Sequence, residues 1–214
     1  MAALVKAIHP RLKEVGFRKR RHTFNRSVEP GVIQVINFQM GQKLPPGTRP
    51  IPPFRPNLHG RFTVNLGVAI EEAWLLNRRG QDVTFPDFLN EYDCDIRERL
   101  GQILGERKDV WWKLPANPNK LATRIGDTLL HQGAAWLDSR ATRERILQIW
   151  EKDGLAALPS TTALPLVMIL RHLDRSAQAE QALRSYYDTI TVAAHQQYVH
   201  DLAEELGVDL ARSL

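Results

Sequence analysis

The chemistry that the sequence offers most clearly is recognition by cations and amides. Residues 16–26 read GFRKRRHTFNR, a stretch in which four consecutive cations, Arg18, Lys19, Arg20 and Arg21, precede a histidine. Clustered cations attract anionic partners and speed their encounter. The run also suits a turn between a helix and a strand, where its charge would keep the surface soluble or face an acidic protein.

Amide side chains recur in two segments whose composition is typical of strands. The segment VIQVINFQM places Asn37 and Gln39 two residues apart, and RFTVNLGV does the same for Thr63 and Asn65. Because side chains alternate across a strand, each pair shares one face. If the strands pair with these faces together, the amides form a surface that donates and accepts hydrogen bonds, suited to a peptide backbone or to bases. The alternative is that the amides bind neighbouring loops or face water.

A proline-rich segment separates these two strands. Residues 42–60 hold six of the 13 prolines, together with the cations Lys43, Arg49 and Arg55. Proline removes backbone donors and favours extended geometry, so the segment is predicted to lie outside sheet and helix. Long loops are commonly functional or disordered, and the sequence leaves the order of residues 43–58 open. Arg49 and Arg55 join the candidate binding residues.

Residues that could support catalysis or bind a metal do not form a recognisable pattern. The sequence contains no HExxH, paired CxxC or phosphate-binding glycine loop. His195 and His200 are five residues apart, which places them on different faces of a helix. Cys94 lacks an evident base, so it is predicted to be a small buried hydrophobe. We therefore expect no catalytic residue, no metal and no cofactor, with an enzyme of unrecognised site as an alternative.

Hydrophobic periodicity predicts the elements that position these residues. Residues 4–15 form an amphipathic helix that Gly16 ends, with Pro10 as a kink or a first turn. Strands follow over His22–Val28, Val32–Met40 and Arg61–Val68, and then a short helix near residues 71–76. The segment DCDIRERLGQIL suits a helix better than a strand.

The last hundred residues are predicted to be helical throughout. Asn117 is the expected cap of one helix, followed by helices over 143–152 and 164–173 and a fourth starting at Ser176. Trp111 and Trp112 precede them and, in a strand, would face opposite sides, one of them towards the core. The predicted fold class is α+β: a small antiparallel sheet of three or four strands after an N-terminal helix, then an all-helical region. Residues 1–115 and 116–214 are expected to form one compact domain.

Composition restricts the broad class of protein. The 214 residues carry a net charge of +5, but residues 1–60 hold eleven Lys and Arg against two acidic residues, and the remainder holds 18 against 22. The positive field therefore comes from the N-terminal quarter. No apolar run reaches the roughly 20 residues of a membrane span, and a single cysteine favours a reducing compartment. We expect a cytoplasmic protein with no membrane partner.

Three segments in fixed order resemble a known family. GFRKRRHTFNR, VINFQMGQ and RFTVNLGV are similar to the bacterial family catalogued as domain of unknown function 4304, chiefly over residues 1–115. The resemblance continues weakly in CDIRERLGQIL and the Trp111–Trp112 pair. It implies a fold and no catalytic assignment. Members often carry a histidine after the cysteine, where this chain has Asp95, so any chemistry of that histidine would be missing.

These observations favour a non-catalytic bacterial binding protein. Its expected partner is a protein with an acidic surface, met through the basic run, the proline-rich loop and the amide face. An immunity or defence-associated role is one version and depends on the resemblance alone. The alternative of a nucleic-acid-binding protein would use the same cations, since four phosphate contacts suffice for loose, salt-sensitive binding.

Overall fold

A computed structural model of the chain describes residues 1–51, 56–106, 109–153 and 160–210. It confirms the α+β class, with an N-terminal helix, an antiparallel sheet and a helical C-terminal region. The strands are β1 (Arg18–Arg20), β2 (Thr23–Glu29), β3 (Val32–Met40), β4 (Arg61–Ile70), β5 (Ile96–Arg99) and β6 (Trp112–Lys113). The helices are α1 (Ala2–Glu14), α2 (Glu71–Leu76), α3 (Asn119–Thr128), α4 (Ala134–Asp138), α5 (Arg143–Asp153), α6 (Ser160–His172), α7 (Ser176–Tyr187) and α8 (Ala193–Glu205).

Helix α1 ends where the sequence predicts. Gly16 has a φ of 90°, a conformation that glycine adopts without steric cost. The Phe17 N–H donates to the Leu12 carbonyl at 3.0 Å, which closes the last turn and reverses the chain into β1. Pro10 lies within the helix on its exposed side, so it does not mark the first turn.

One face of the sheet carries the main hydrophobic core. The sheet order is β1-β2-β3-β4-β5, with β6 paired to the start of β4. Phe24, Ile36 and Leu66 point to the same side and are at most 1% exposed. Helix α1 and the C-terminal helices pack on this face, and the buried cluster continues from Leu4 to Val208. The core therefore draws on residues from both halves of the chain.

The opposite face of the sheet is buried at one end only. There, Ile33, Val35 and Ala69 form a second small core with Trp74, Leu89 and Cys94. The prediction of one apolar and one polar face is thus correct only at the other end, near Asn37 and Asn65. The difference arises because residues 83–94, which carry no regular hydrophobic pattern, fold back over half of the face.

Within the described residues the sheet has six strands, so the predicted number of three or four is too low. The basic run forms edge strand β1, with the turn confined to Arg21 and His22. Residues 96–99, predicted to be helical, form β5 by pairing with β4, and a π-helical segment (Gln102–Glu106) follows. Neither RKR nor IRER alternates in hydrophobicity, so their strand state comes from the neighbouring strand and not from local pattern.

The helical region follows the prediction closely. The Asn117 side chain accepts from the Asn119 N–H at 3.1 Å at the start of α3, and α3 continues through a π-helical segment (Leu129–Gly133) into α4. Gly154, which follows the helix predicted over 143–152, lies outside the described residues. The fourth predicted helix, starting at Ser176, is α7, and a further helix, α8, follows it. Within the described ranges, no helix is both long and apolar enough to cross a membrane.

Candidate functional site

The predicted amide face exists at the open end of the sheet. Strands β3 and β4 pair with Asn37 opposite Asn65 and Gln39 opposite Thr63, so all four side chains lie on one side. Strand β2 adds Thr23, which is the partner of Asn37 across the β2–β3 pair. The cross-strand register thus brings together polar side chains that are up to 42 positions apart in the sequence.

Hydrogen bonds between these side chains fix their orientation. The Asn37 Nδ2 donates to Thr23 Oγ1 at 2.9 Å, and the Asn65 Nδ2 donates to Gln39 Oε1 at 2.9 Å. Asn65 is 4% exposed, whereas Gln39 is exposed. Each amide has two N–H groups and two acceptor lone pairs. Among the described residues, these bonds therefore leave the Asn37 carbonyl oxygen and both Gln39 N–H groups for a ligand.

These amides form the floor of a cleft of about 780 Å³. We call it the amide cleft, and its lining residues come from β2 to β5, the turn after β1 and the segment before β5. They are Arg21, His22, Thr23, Asn37, Phe38, Gln39, Asn65, Asn90, Glu91, Tyr92, Arg97, Glu98, Arg99 and Gln102. The volume lies within the usual range for ligand sites.

Arginines and one tyrosine dominate the walls of the amide cleft. Arg97 and Arg99 share the floor's face because they pair opposite Gly67 and Asn65. Arg99 forms an ion pair with Asp109, and its guanidinium lies 5.3 Å from the ring centre of Trp111. Tyr92 is 71% exposed at the rim. Arginine and tyrosine are the residue types that most often carry binding energy at protein interfaces.

One wall is held by a buried asparagine that the sequence analysis did not single out. Asn25 binds the backbone of Leu89 through two hydrogen bonds, as donor to the carbonyl at 3.0 Å and as acceptor from the N–H at 2.6 Å. Asn90 then begins a 3₁₀ turn (Glu91–Asp93) with a capping box. The second core anchors the same segment through Leu89 and Cys94. Glu91 and Tyr92 are thereby fixed at the cleft edge.

The basic run lies beside the amide cleft, but its four members differ in their surroundings. Arg18 and Arg20 share a face and form exposed ion pairs with Asp87 at 3.7 and 3.5 Å. The Arg20 guanidinium also lies 4.5 Å from the ring centre of Phe88. Arg21 lines the cleft and has a φ of 52°. Lys19 alternates to the other side of β1 and is exposed.

Two ionisable groups at the cleft have shifted pKa values. Burial raises the pKa of Glu91, an effect that the nearby cations of Arg97 and Arg99 oppose. Burial, then the charge of the chain's amino terminus and that of Lys19, lowers the pKa of His22. Partial desolvation of both groups is consistent with a cleft that excludes some bulk water.

Cys94 and Asp95 have structural surroundings. Burial raises the pKa of the Cys94 thiol well above its usual value, so the group is an unreactive thiol beneath the sheet face. Asp95 accepts from the Ile70 N–H at 3.1 Å and from Asn77 Nδ2 at 3.5 Å, at the start and end of α2. Asp95, which precedes β5, thus holds α2 in place through both of its ends.

The structure places the predicted binding residues at three locations. Arg21, Asn37, Gln39 and Asn65 meet in the amide cleft, and Arg18, Lys19 and Arg20 lie on the adjoining edge strand. Arg49 is exposed and is not among the cleft-lining residues, and Arg55 lies outside the described residues. The cleft residues contributed by 97–102 were missed because a helix was predicted there, and those at 90–92 because that segment has no regular pattern.

The two adjacent tryptophans take different roles. Trp112 packs on Phe62 with ring centres 5.7 Å apart and contacts the main core, as expected for one of the pair. Trp111 donates from Nε1 to Asp109 at 2.9 Å and lies against Arg99. Trp111 therefore lies beside Arg99 and Asp109 at the wall of the amide cleft.

Comparison with protein families finds a match to part of the chain. Residues 54–139 match the family described as domain of unknown function 4304. This confirms the resemblance from RFTVNLGV onward, whereas GFRKRRHTFNR and VINFQMGQ lie before the matched residues. The match begins in the proline-rich segment, covers β4 to β6, and continues to the end of the α4 region. It includes Asn65 and the 90–102 side of the amide cleft. No curated protein and no solved structure shows significant similarity to the chain.

Proposed function

We propose that this chain, which carries domain of unknown function 4304, is a non-catalytic binding protein that recognises an acidic protein partner through the amide cleft. The observation that carries the proposal is the floor of aligned amides beneath arginine-bearing walls. Amide side chains do not titrate near neutral pH, so they act as hydrogen-bond donors and acceptors and not in proton transfer. Such a floor is suited to recognition.

The charged residues at the amide cleft indicate that the partner carries negative charge. Arg21, Arg97 and Arg99 line the amide cleft against the carboxylates Glu91 and Glu98. Lys19 and the pairs formed by Arg18 and Arg20 add positive charge on the adjoining edge strand. Complementary charge of this kind raises the rate of encounter and disfavours cationic partners.

The aromatic content of the amide cleft favours a protein over a nucleic acid. Single-stranded nucleic acid is usually held by successive aromatic platforms. Among the cleft-lining residues, Tyr92 is an exposed ring, whereas Phe38 is 2% exposed and belongs to the core on the other face. A cytoplasmic bacterial immunity or defence-associated protein is one specific form of this proposal.

Affinity capture followed by binding to the purified captured protein tests the proposal. We expect the triple variant Lys19→Glu, Arg21→Asn and Arg97→Gln to weaken binding at least about tenfold, since Arg21 and Arg97 lose charged contacts in the cleft and Lys19→Glu lowers the positive charge beside it. Asparagine is chosen at position 21 because it tolerates positive φ. Arg18 and Arg20 are left in place so that Asp87 keeps its partners.

The matched control is Lys120→Glu with Arg124→Glu on the exposed side of α3, which changes net charge away from the cleft. Equal binding by the triple variant and the wild type would contradict the use of the cleft. Retention of DNA or RNA by the wild type, lost in the triple variant with no protein partner recovered, would instead favour the nucleic-acid alternative.

A further inference from the structure

We infer that the partner segment bound in the amide cleft is an extended acidic peptide whose backbone runs along β3. This inference depends on the proposed function and specifies its ligand. The cleft presents hydrogen-bonding groups at a regular spacing on its floor and cations on its walls. An extended peptide presents the complementary arrangement, with backbone groups on a regular repeat and side chains directed to either side.

The floor matches the repeat of an extended chain. Asn37 and Gln39 are two residues apart on β3, and a strand rises about 3.4 Å per residue, so their Cα atoms are about 7 Å apart. A peptide aligned with β3 has the same two-residue repeat. It therefore meets one amide at every second residue.

The hydrogen-bond donors and acceptors that remain available on the floor match those of a peptide backbone. The bonds to Thr23 and from Asn65 occupy one Asn37 N–H and the Gln39 carbonyl. The Asn37 carbonyl oxygen can then accept a ligand N–H, and the Gln39 N–H groups can donate to a ligand carbonyl. Backbone amides need both kinds of partner when they leave water, so a floor of mixed donors and acceptors fits them.

The walls explain why the peptide should be acidic. Neighbouring strands are about 4.8 Å apart, so β2 to β5 span about 14 Å, enough for one extended chain with side chains on both sides. Arg21 stands at the β2 side and Arg97 at the β5 side. Arg97 has only a loose ion pair with Glu91 at 3.7 Å, which a ligand carboxylate can replace. Alternate carboxylates along the peptide would reach these walls.

Fluorescence anisotropy with defined peptides tests the inference. The probe is a fluorescein-labelled nonapeptide of alternating Glu and Ser, and we expect saturable binding to the full-length chain. Replacing each Ser by Pro removes backbone donors while keeping the charge, and it should weaken binding about tenfold. A Lys–Ser peptide should bind much more weakly, because the lining residues Arg21, Arg97 and Arg99 outnumber the carboxylates Glu91 and Glu98.

Variants of the protein separate the floor from the walls. Gln39→Ala should weaken binding about fivefold through lost hydrogen bonds, and Arg97→Gln about tenfold through a lost charge-assisted bond. Gln39 is exposed, but its carbonyl accepts from the Nδ2 of Asn65, which is 4% exposed, so Gln39→Ala should lower the melting temperature by leaving that donor unpaired. Binding is therefore compared at a temperature at which both proteins are folded. Lys120→Glu is the control and should bind like the wild type.

Several results would overturn the inference. Equal affinity for the Glu–Ser and Glu–Pro peptides would show that charge alone drives binding. Tighter binding of a twelve-residue oligo-dT than of the Glu–Ser peptide would assign the cleft to nucleic acid. If a captured protein depends on the cleft but the peptide neither binds nor displaces it, the extended-peptide reading fails and the proposed function stands.

Discussion

At the scale of single residues, Asp95 links the structure to a measurable dependence on pH. Burial raises the pKa of its carboxyl to about 6, against the lowering effect of the Ile70 N–H. The folded state therefore holds a proton more tightly than the unfolded chain between pH 4 and 6. The contribution of Asp95 to the free energy of unfolding must fall as pH rises through that window, by up to about 3 kcal/mol.

Asp95→Asn isolates this effect. The amide keeps an oxygen that can accept the Ile70 N–H but cannot ionise, so we expect higher stability than the wild type at pH 7 and a flatter profile between pH 4 and 6. Urea unfolding at pH 4.5, 6 and 7.5 measures both. The control Asp82→Asn, at an exposed position, should retain the wild-type profile. Lower stability of Asp95→Asn at pH 7 would contradict the argument.

At the scale of elements, a buried arginine joins the β2–β3 turn to the helices. Arg143 at the start of α5 is 1% exposed and binds Glu29 of β2 at 2.7 Å, Glu72 of α2 at 2.7 Å and the Pro30 carbonyl at 2.8 Å. Gly31 has a φ of 78°, and a Cβ there would lie 2.5 Å from an Arg143 nitrogen. The ion cluster therefore packs against the turn so closely that it leaves no room for a side chain at position 31.

Arg143→Met should destabilise the protein by about 3–5 kcal/mol, because it leaves the Glu29 and Glu72 carboxylates partly buried without the Arg143 cation. Glu72 would retain its contact with His172 Nδ1 at 2.6 Å. Adding Glu72→Gln should recover part of that loss by removing one unpaired charge. Arg175→Met is the comparison: Arg175 is more exposed and pairs with Glu144 at 2.7 Å, so its loss should cost at most about 1 kcal/mol. Urea unfolding gives all four values, and similar costs for the two Met variants would refute a special role of the cluster.

The strands differ in how well they could be predicted from the sequence. Strands β2, β3 and β4 alternate in hydrophobicity, so their existence and the shared face of Asn37 and Asn65 could be predicted. Strands β1 and β5 are largely charged, and only pairing with a neighbour makes them strands. The cleft walls were not predictable, because they depend on long-range bonds such as Asn25 to Leu89, 64 positions apart.

At the scale of the whole molecule, contacts between the two halves of the chain predict cooperative unfolding. Gln34 of β3 donates to the Leu137 carbonyl of α4 at 2.7 Å, and Arg26 of β2 pairs with Asp138 at 2.5 Å. A Cβ at Gly133 would lie 3.8 Å from the Leu66 side chain of β4, which shows how closely the helical region packs on the sheet. Separating the halves would expose this apolar face to water at roughly 25 cal/mol per Å².

We therefore expect one urea transition for residues 1–214, with coincident midpoints by far-ultraviolet circular dichroism and tryptophan fluorescence. The probes report on both halves, because Trp74 and Trp112 lie in the sheet region and Trp136 and Trp150 in the helical region. A fragment of residues 1–115 should aggregate or remain unfolded, since the sheet's core face loses α3 and α4. Two separated transitions, or a monomeric folded fragment, would instead mean that the sheet region is an independent domain. In that case the cleft, whose described lining residues all lie before position 103, could be studied in isolation.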